Sequence, residues 1–243
     1  TRVPEENIVF MENKRTGFRD YLAALQRETQ QAESTARDEG NAGAIVMNAN
    51  PFTLGHRYLV EQARAACGVL HLFMVSEDVS LVPFSVRKKL ILEGTKDIPG
   101  IIYHEAGSYI ISSATFPAYF QKGDNAVIRS QAGIDAQIFT QIAAALDITD
   151  RFVGDEPTSV VTGIYNEILS TALPEAGVAC HIIPRKEADG KAISASTVRS
   201  CIHDGRLEEI RGLVPETTYR YFTSPEAAAV IGRIQAAEEV VHY

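Results

Sequence analysis

The sequence predicts an α/β fold: a parallel sheet of five strands with helices on both faces, carrying a helical appendage at its N-terminus. Three observations predict it. At Gly43 a long polar, charged stretch gives way to short apolar runs. Those runs then alternate five times with stretches of helical periodicity, the pattern of chains that wind a parallel sheet under helices. The runs are apolar through most of their length, as strands buried on both faces are.

The appendage comes first. Met11 to Arg37 is polar, with Phe18, Tyr21, Leu22 and Leu25 spaced three and four apart, so an amphipathic helix is expected there. Asp38-Glu39-Gly40-Asn41 reads as its end and a linker. Ala44 to Met47 is the first strand. Gly55 to Ala66 is helical, with Leu59, Val60, Ala63 and Cys67 on one face and Gly68 closing it. Val69 to Val75 is the second strand, Ser85 to Gly94 a helix, and Ile101 to His104 the third strand. Asp135 to Leu146 is a helix and Arg151 to Val153 the fourth strand. A helix is expected near Gly163 to Thr171, a fifth strand over Val178 to Ile183, and a further helix from Ser196. Ligands of such sheets bind at the carboxyl ends of the strands, where strand order reverses.

Charge and cysteine usage exclude other classes. A net charge of −8 argues against a general nucleic-acid binder, which needs clustered Lys and Arg. Cys67, Cys180 and Cys201 are odd in number, far apart and without a CxxC pair, so reduced thiols in a cytoplasmic protein are expected, with neither a disulfide framework nor a bound structural metal. The start TRVPEENIVF is unlike a signal peptide, and no apolar run reaches the length of a membrane helix.

Two constellations carry the chemistry. After the first strand comes Asn48-Ala-Asn-Pro-Phe-Thr-Leu-Gly-His56. Asn50-Pro51 makes a turn, Thr53 is a natural N-cap, and Gly55 and His56 fall in the first helical turn. A helix N-terminus offers free N–H groups and a positive dipole end, which suits a phosphate. Gly55 would let a ligand approach the backbone. This turn carries His56 and Arg57 and no acid, although the dipole disfavours cations there; a bound anion would remove the conflict. The second constellation, Ile193-Ser-Ala-Ser-Thr-Val-Arg199, follows the fifth strand. Ser194 or Ser196 caps the next helix, and Arg199 then lies in its first turn, again a cation at the positive end of a helix. Alone, each is also what a capped strand-turn-helix looks like. A triphosphate answers both at once, because the guanidinium fork suits phosphate oxygens.

The pair resembles the HxGH and ISSTxxR signatures of the adenylyl- and cytidylyltransferases, with Thr53 in place of the first His and Ser196 in place of the Thr. Longer segments are similar to the citrate lyase ligase family: Ile45 to Tyr58, Tyr109 to Tyr119, Arg151 to Pro157, and Ile183-Pro-Arg-Lys-Glu187 leading into ISASTVR. The resemblance spans roughly residues 8 to 215 and implies a Rossmann-like nucleotidyltransferase fold over 41–243, with a helical C-terminal tail. Such proteins usually carry an additional acetyltransferase-like domain, so residues 1–40 read as an appendage or linker from a missing upstream domain.

The implied reaction joins acetate to AMP at the expense of ATP and passes the acetyl group to the thiol prosthetic group on the acyl carrier subunit of citrate lyase. Nucleic acid and membrane are not expected partners. His56 and Thr53, with Ser196 and Arg199, would be catalytic. Asn48, Asn50, Phe52, Gly55, Gly154, Glu156 and Ser194 would line the nucleotide, with Mg²⁺ as the bridging ion. Tyr109 to Tyr119 could line the acyl pocket or be a structural loop. Arg87, Lys88 and Lys89 could dock an acidic carrier or be a solvated face. His71, His104, His181 and His203 read as structural. Two rival functions remain at this point: an adenylyltransferase acting on a phosphopantetheine-like substrate, and a nucleotide-binding regulatory module.

Overall fold

The computed structural model describes residues 2–3, 8–9, 11–36, 40–120, 123–156, 159–188 and 190–240. Five strands form its central sheet: β1 (Ala42–Met47), β2 (Val69–Met74), β3 (Ile101–Glu105), β4 (Ile148–Gly154) and β5 (Ala179–Ile183). All pairings are parallel and the spatial order is β3-β2-β1-β4-β5. The direction of winding reverses between β1 and β4, so the carboxyl ends of these two strands, at Met47 and Gly154, flank the switch point where such sheets bind ligands.

Period-two alternation divides the interior. Ala44 of β1 faces one core, with Phe73, Phe139, Ile142 and Leu169. Ile45 and Met47 face the other, with Phe52, Val60, Leu72, Leu90, Val198 and Phe222. The first core is covered by α1 (Gly17–Ala36), α4 (Asn125–Ala145) and α5 (Val160–Glu175). The second is covered by α2 (Leu54–Ala66), α3 (Phe84–Thr95), α6 (Ala195–His203), α7 (Glu216–Phe222) and α8 (Ala228–Gln235). Two short antiparallel ribbons, Arg2–Val3 with Ile8–Val9 and Glu187–Ala188 with Lys191–Ala192, lie apart from the sheet. No helix among the described residues is long and apolar enough to cross a membrane. Cys67, Cys180 and Cys201 are unbridged.

Several element boundaries differ from the sequence expectation, those of three helices among them. Helix α1 starts at Gly17 and not near Met11, because the Gly17 N–H closes a turn onto the Lys14 carbonyl (3.2 Å). Helix α4 starts ten residues before Asp135, where the Asp124 carboxylate accepts from the Val127 N–H at 2.9 Å. Helix α5 runs through Pro174 to Glu175. The expected linker residues Asp38 and Glu39, together with Arg37 and Pro157, lie outside the described residues.

Helix α1 shares the first core. Leu25 is buried, Phe18, Tyr21 and Leu22 pack beside it, and Tyr21 donates to the Glu105 carbonyl at 3.0 Å. Beneath α1, Glu28 bonds His104 Nδ1 at 2.7 Å and His104 Nε2 bonds His71 Nδ1 at 3.0 Å.

Candidate active site

The turn leaving β1 is built from inside by Arg87, which is fully buried. Its guanidinium donates to the carbonyls of Val82, Asn48, Val75 and Glu77, so one side chain ties the ends of β1 and β2 to α3. Burial lowers its pKa to about 10. Lys88 pairs with Glu105 and Lys89 with Glu226. The run Arg87-Lys88-Lys89, open between a docking cluster and a solvated face in the sequence, is an internal strut and two surface ion pairs. Asn50 is also consumed: it is 3% exposed and its Oδ1 accepts from the Val82 N–H at 3.0 Å. Asn48 donates to Ser80 Oγ at 3.0 Å. These asparagines brace the loop beneath the site. Phe52, expected at the nucleotide, is fully buried in the second core, with its ring stacked 5.8 Å from that of His56. Its job is to support the histidine.

Thr53 and His56 form a capping box at the start of α2. The His56 N–H donates to Thr53 Oγ1 at 3.3 Å, and the Thr53 N–H donates to His56 Nδ1 at 3.1 Å. A ring nitrogen that accepts an N–H carries no proton, so the proton of the neutral imidazole resides on Nε2. Burial, then the charges of Arg185 and Arg199, lower the His56 pKa to about 4. At neutral pH His56 is thus an uncharged donor of fixed tautomer.

Arg57 turns away, bonding Asp97 at 2.7 and 2.9 Å and Glu61 at 2.8 Å. The clash of cations with the helix dipole expected from sequence is thus answered within the protein. The Leu54 N–H goes to the Leu213 carbonyl at 2.9 Å. Among the described residues the Gly55 N–H has no acceptor, and it stays open for an anion.

The second motif arrives at the same place. A Cβ on Gly55 would lie 3.1 Å from the Ile193 carbonyl oxygen, so the bare Cα of Gly55 makes room for Ile193. Ser194 caps α6, accepting from the Thr197 N–H at 3.0 Å and lying 2.9 Å from Ser196 Oγ. The Ala195 and Ser196 N–H groups have no acceptor among the described residues. Arg199, 3% exposed, reaches back: Nη1 donates to the Asn50 carbonyl at 2.5 Å and Nε to the Val240 carbonyl at 2.6 Å. Burial lowers its pKa to about 10. Because Ser194 is the cap, Arg199 stands in the second turn of α6 and not, as expected, in the first, and there it clamps the two motifs and the C-terminal tail together.

Gly154 ends β4, its carbonyl accepting from Asn166 Nδ2 at 2.9 Å. Glu156, expected against adenosine, forms an ion pair with Arg185. Arg185 is the cation that sequence reasoning left without a role, although it lies within the family-like segment IPRKE. The loop Tyr109 to Tyr119 is largely structural. Tyr109 stacks on Tyr21 at 4.8 Å, and the buried Asp135 carboxylate accepts from the Ile111 N–H and the Tyr165 hydroxyl, each at 2.6 Å.

Two helix N-termini converge at the switch point of a five-stranded parallel sheet, which makes the chain a Rossmann-like α/β domain, as the sequence predicts. The profile of the citrate lyase ligase C-terminal domain matches residues 42–222, and the chain belongs to the citrate lyase ligase family. It is 42% identical over 221 residues to the citrate (pro-3S)-lyase ligase of Escherichia coli K12, covering 88% of this chain and 60% of that one. It is 41% identical over 220 residues to the Haemophilus influenzae enzyme of that name, covering 88% and 64%. The chain thus spans less than two thirds of these relatives' length. Among solved structures it is similar in shape to a pantoate-beta-alanine ligase from Francisella tularensis, with a TM-score of 0.49, 10% identity and coverage of 87% and 83%. The family assignment rests on the sequence match.

Proposed function

We propose that this chain is the catalytic part of an AMP-forming acid–thiol ligase. ATP activates acetate as acetyl-adenylate, and the acetyl group passes to the thiol prosthetic group of the acyl carrier subunit of citrate lyase. The relatives named above carry that kind of name. The observation that carries the proposal is the convergence of the two motifs: Arg199 bonds the Asn50 carbonyl and Ile193 lies on Gly55. The open N–H groups of Gly55, Ala195 and Ser196 are thereby brought near a neutral His56 whose Nε2–H is free to donate.

Acetate is ionised near neutral pH and needs no general base. Its oxygen attacks the α-phosphorus, the α–β bridging P–O bond breaks, and the electron pair leaves on pyrophosphate. Catalysis then consists of positioning and of placing donors where charge develops. His56 Nε2–H donates to the α-phosphate, and the N-terminus of α6 with Ser196 holds the outer phosphates. In the second step the carrier thiol gives its proton to water, its sulfur bonds the acetyl carbonyl carbon, the bond from that carbon to the AMP oxygen breaks, and the electron pair leaves on AMP.

Mg²⁺ would enter with the triphosphate and neutralise its charge. An ion held mainly by phosphates and water needs no cluster of protein ligands.

The test is ATP–pyrophosphate exchange. It should require acetate, ignore 4′-phosphopantetheine, and disappear in His56→Ala while ATP binding largely survives. Exchange driven by 4′-phosphopantetheine would instead make the protein an adenylyltransferase. ATP binding without any exchange would make it a regulatory module. Acetylation of purified carrier subunit tests the second step.

A further inference from the structure

Arg185 stands two residues past β5, on the ligand-binding edge of the sheet. Its Nε donates to the Asp155 carbonyl at 2.8 Å and its Nη2 to Glu156 Oε2. Both acceptors belong to the segment just beyond β4, on the other side of the β4–β5 seam. Its remaining nitrogen, Nη1, has no acceptor among the described residues.

The adjacent Lys186 fastens this loop to the rest of the site. Its ammonium lies over the Tyr58 ring at 5.8 Å, two residues beyond His56, and its carbonyl accepts from the Ile193 N–H at 2.9 Å. Arg185's own acceptors, Asp155 and Glu156, belong to neither motif, while its neighbour Lys186 ties the loop to Ile193, the first residue of the second motif. The charge of Arg185 reaches His56, whose protonation it opposes.

We propose that Arg185 is a phosphate-binding residue that grips the departing pyrophosphate, and that Glu156 is its positioning partner. The proposal rests on the ATP-dependent function given above. A half-buried guanidinium needs a counter-charge, and Glu156 supplies it. A triphosphate offers a stronger one in the same region, and the planar fork matches phosphate oxygens better than an ammonium would. As the α–β bond breaks, negative charge accumulates on the leaving group, so a guanidinium there strengthens its interaction in the transition state. This also reassigns Glu156 from an adenosine contact to the holder of Arg185.

Titration calorimetry of the full chain with Mg–ATP and with AMP tests it. Arg185→Gln should weaken ATP binding about tenfold or more, as loss of a charge-assisted hydrogen bond does, with AMP affinity and melting temperature nearly unchanged. Arg185→Lys, which keeps the charge and loses the fork, should weaken ATP less and leave AMP alone; it decides the matter should the glutamine variant fail to fold. Glu156→Gln should weaken ATP in preference to AMP, because the guanidinium loses its holder.

Unchanged ATP affinity in the folded arginine variants overturns the proposal, as does equal loss of ATP and AMP. Wild-type protein that binds no ATP would instead refute the ATP-dependent function itself.

Discussion

Acid should unfold this protein through histidines it buries uncharged, and His104 is the place to measure it. His104 is 1% exposed, stacked on Phe73 at 4.8 Å and on His71 at 5.2 Å. Burial lowers its pKa from 6.5 to about 4. A histidine favoured neutral in the fold stabilises fully above its unfolded pKa, near 6.5. That contribution is lost as pH falls towards 4. A shift of about 2.5 units corresponds to about 3 kcal/mol, a large part of a typical stability of about 5–15 kcal/mol.

His71, lowered to about 3, acts in the same direction but shares the same hydrogen bond, so the two do not simply add. Glu28 works the opposite way, its pKa being raised by burial, but its side chain is 49% exposed and its effect is correspondingly small. Urea unfolding followed by circular dichroism should show several kcal/mol lost between pH 7.5 and 4.5. In His104→Gln, less stable at pH 7.5 because Glu28 and His71 lose a partner, the fall over that interval should shrink by about 2–3 kcal/mol. An identical fall in variant and wild type would refute the burial argument.

Three further substitutions probe the scaffold of the site, and a fourth, on its surface, serves as their control. In Gly94→Ala the new Cβ would sit 2.5 Å from the Phe52 ring, so thermal unfolding should reveal a loss of about 2 kcal/mol and exchange should fall as His56 loses its support. Thr53→Ala removes the cap hydroxyl and should lower stability by about 1 kcal/mol. Because the backbone bond to Nδ1 survives, exchange should drop without vanishing. Arg87→Met strips four carbonyls of their donor and should reduce stability by about 3 kcal/mol or more in urea, whereas Lys88→Ala, at a surface pair, should change it by under about 1 kcal/mol.

The strand runs and both motifs were legible because buried parallel strands and capped helix starts leave local signatures. Gly43 to Met47 and TLGH are adjacent in sequence as they are in space. What was missed depends on partners far along the chain. Arg87 sat in a run of three cations and read as charge, although it lies three and four residues before Leu90 and Ile91 on the buried face of α3; helical spacing alone could have found it. Asp135 falls likewise between the buried Ala132 and Phe139 of α4. Phe52 was placed at the nucleotide with the rest of the motif that the family resemblance covers, and only Gly94, on another helix, shows where its ring lies. Nothing local distinguishes Arg185 from its neighbour Lys186, since its partner Glu156 is 29 residues away. Arg199 was found for its charge, but its hold on Asn50 and Val240 is a property of the fold.

A crystal structure with a non-hydrolysable ATP analogue tests the convergence of the two helix starts most directly. The α-phosphate should lie within hydrogen-bond distance of His56 Nε2 and the outer phosphates against the Ala195 and Ser196 N–H groups. A triphosphate bound away from either helix N-terminus would contradict the account.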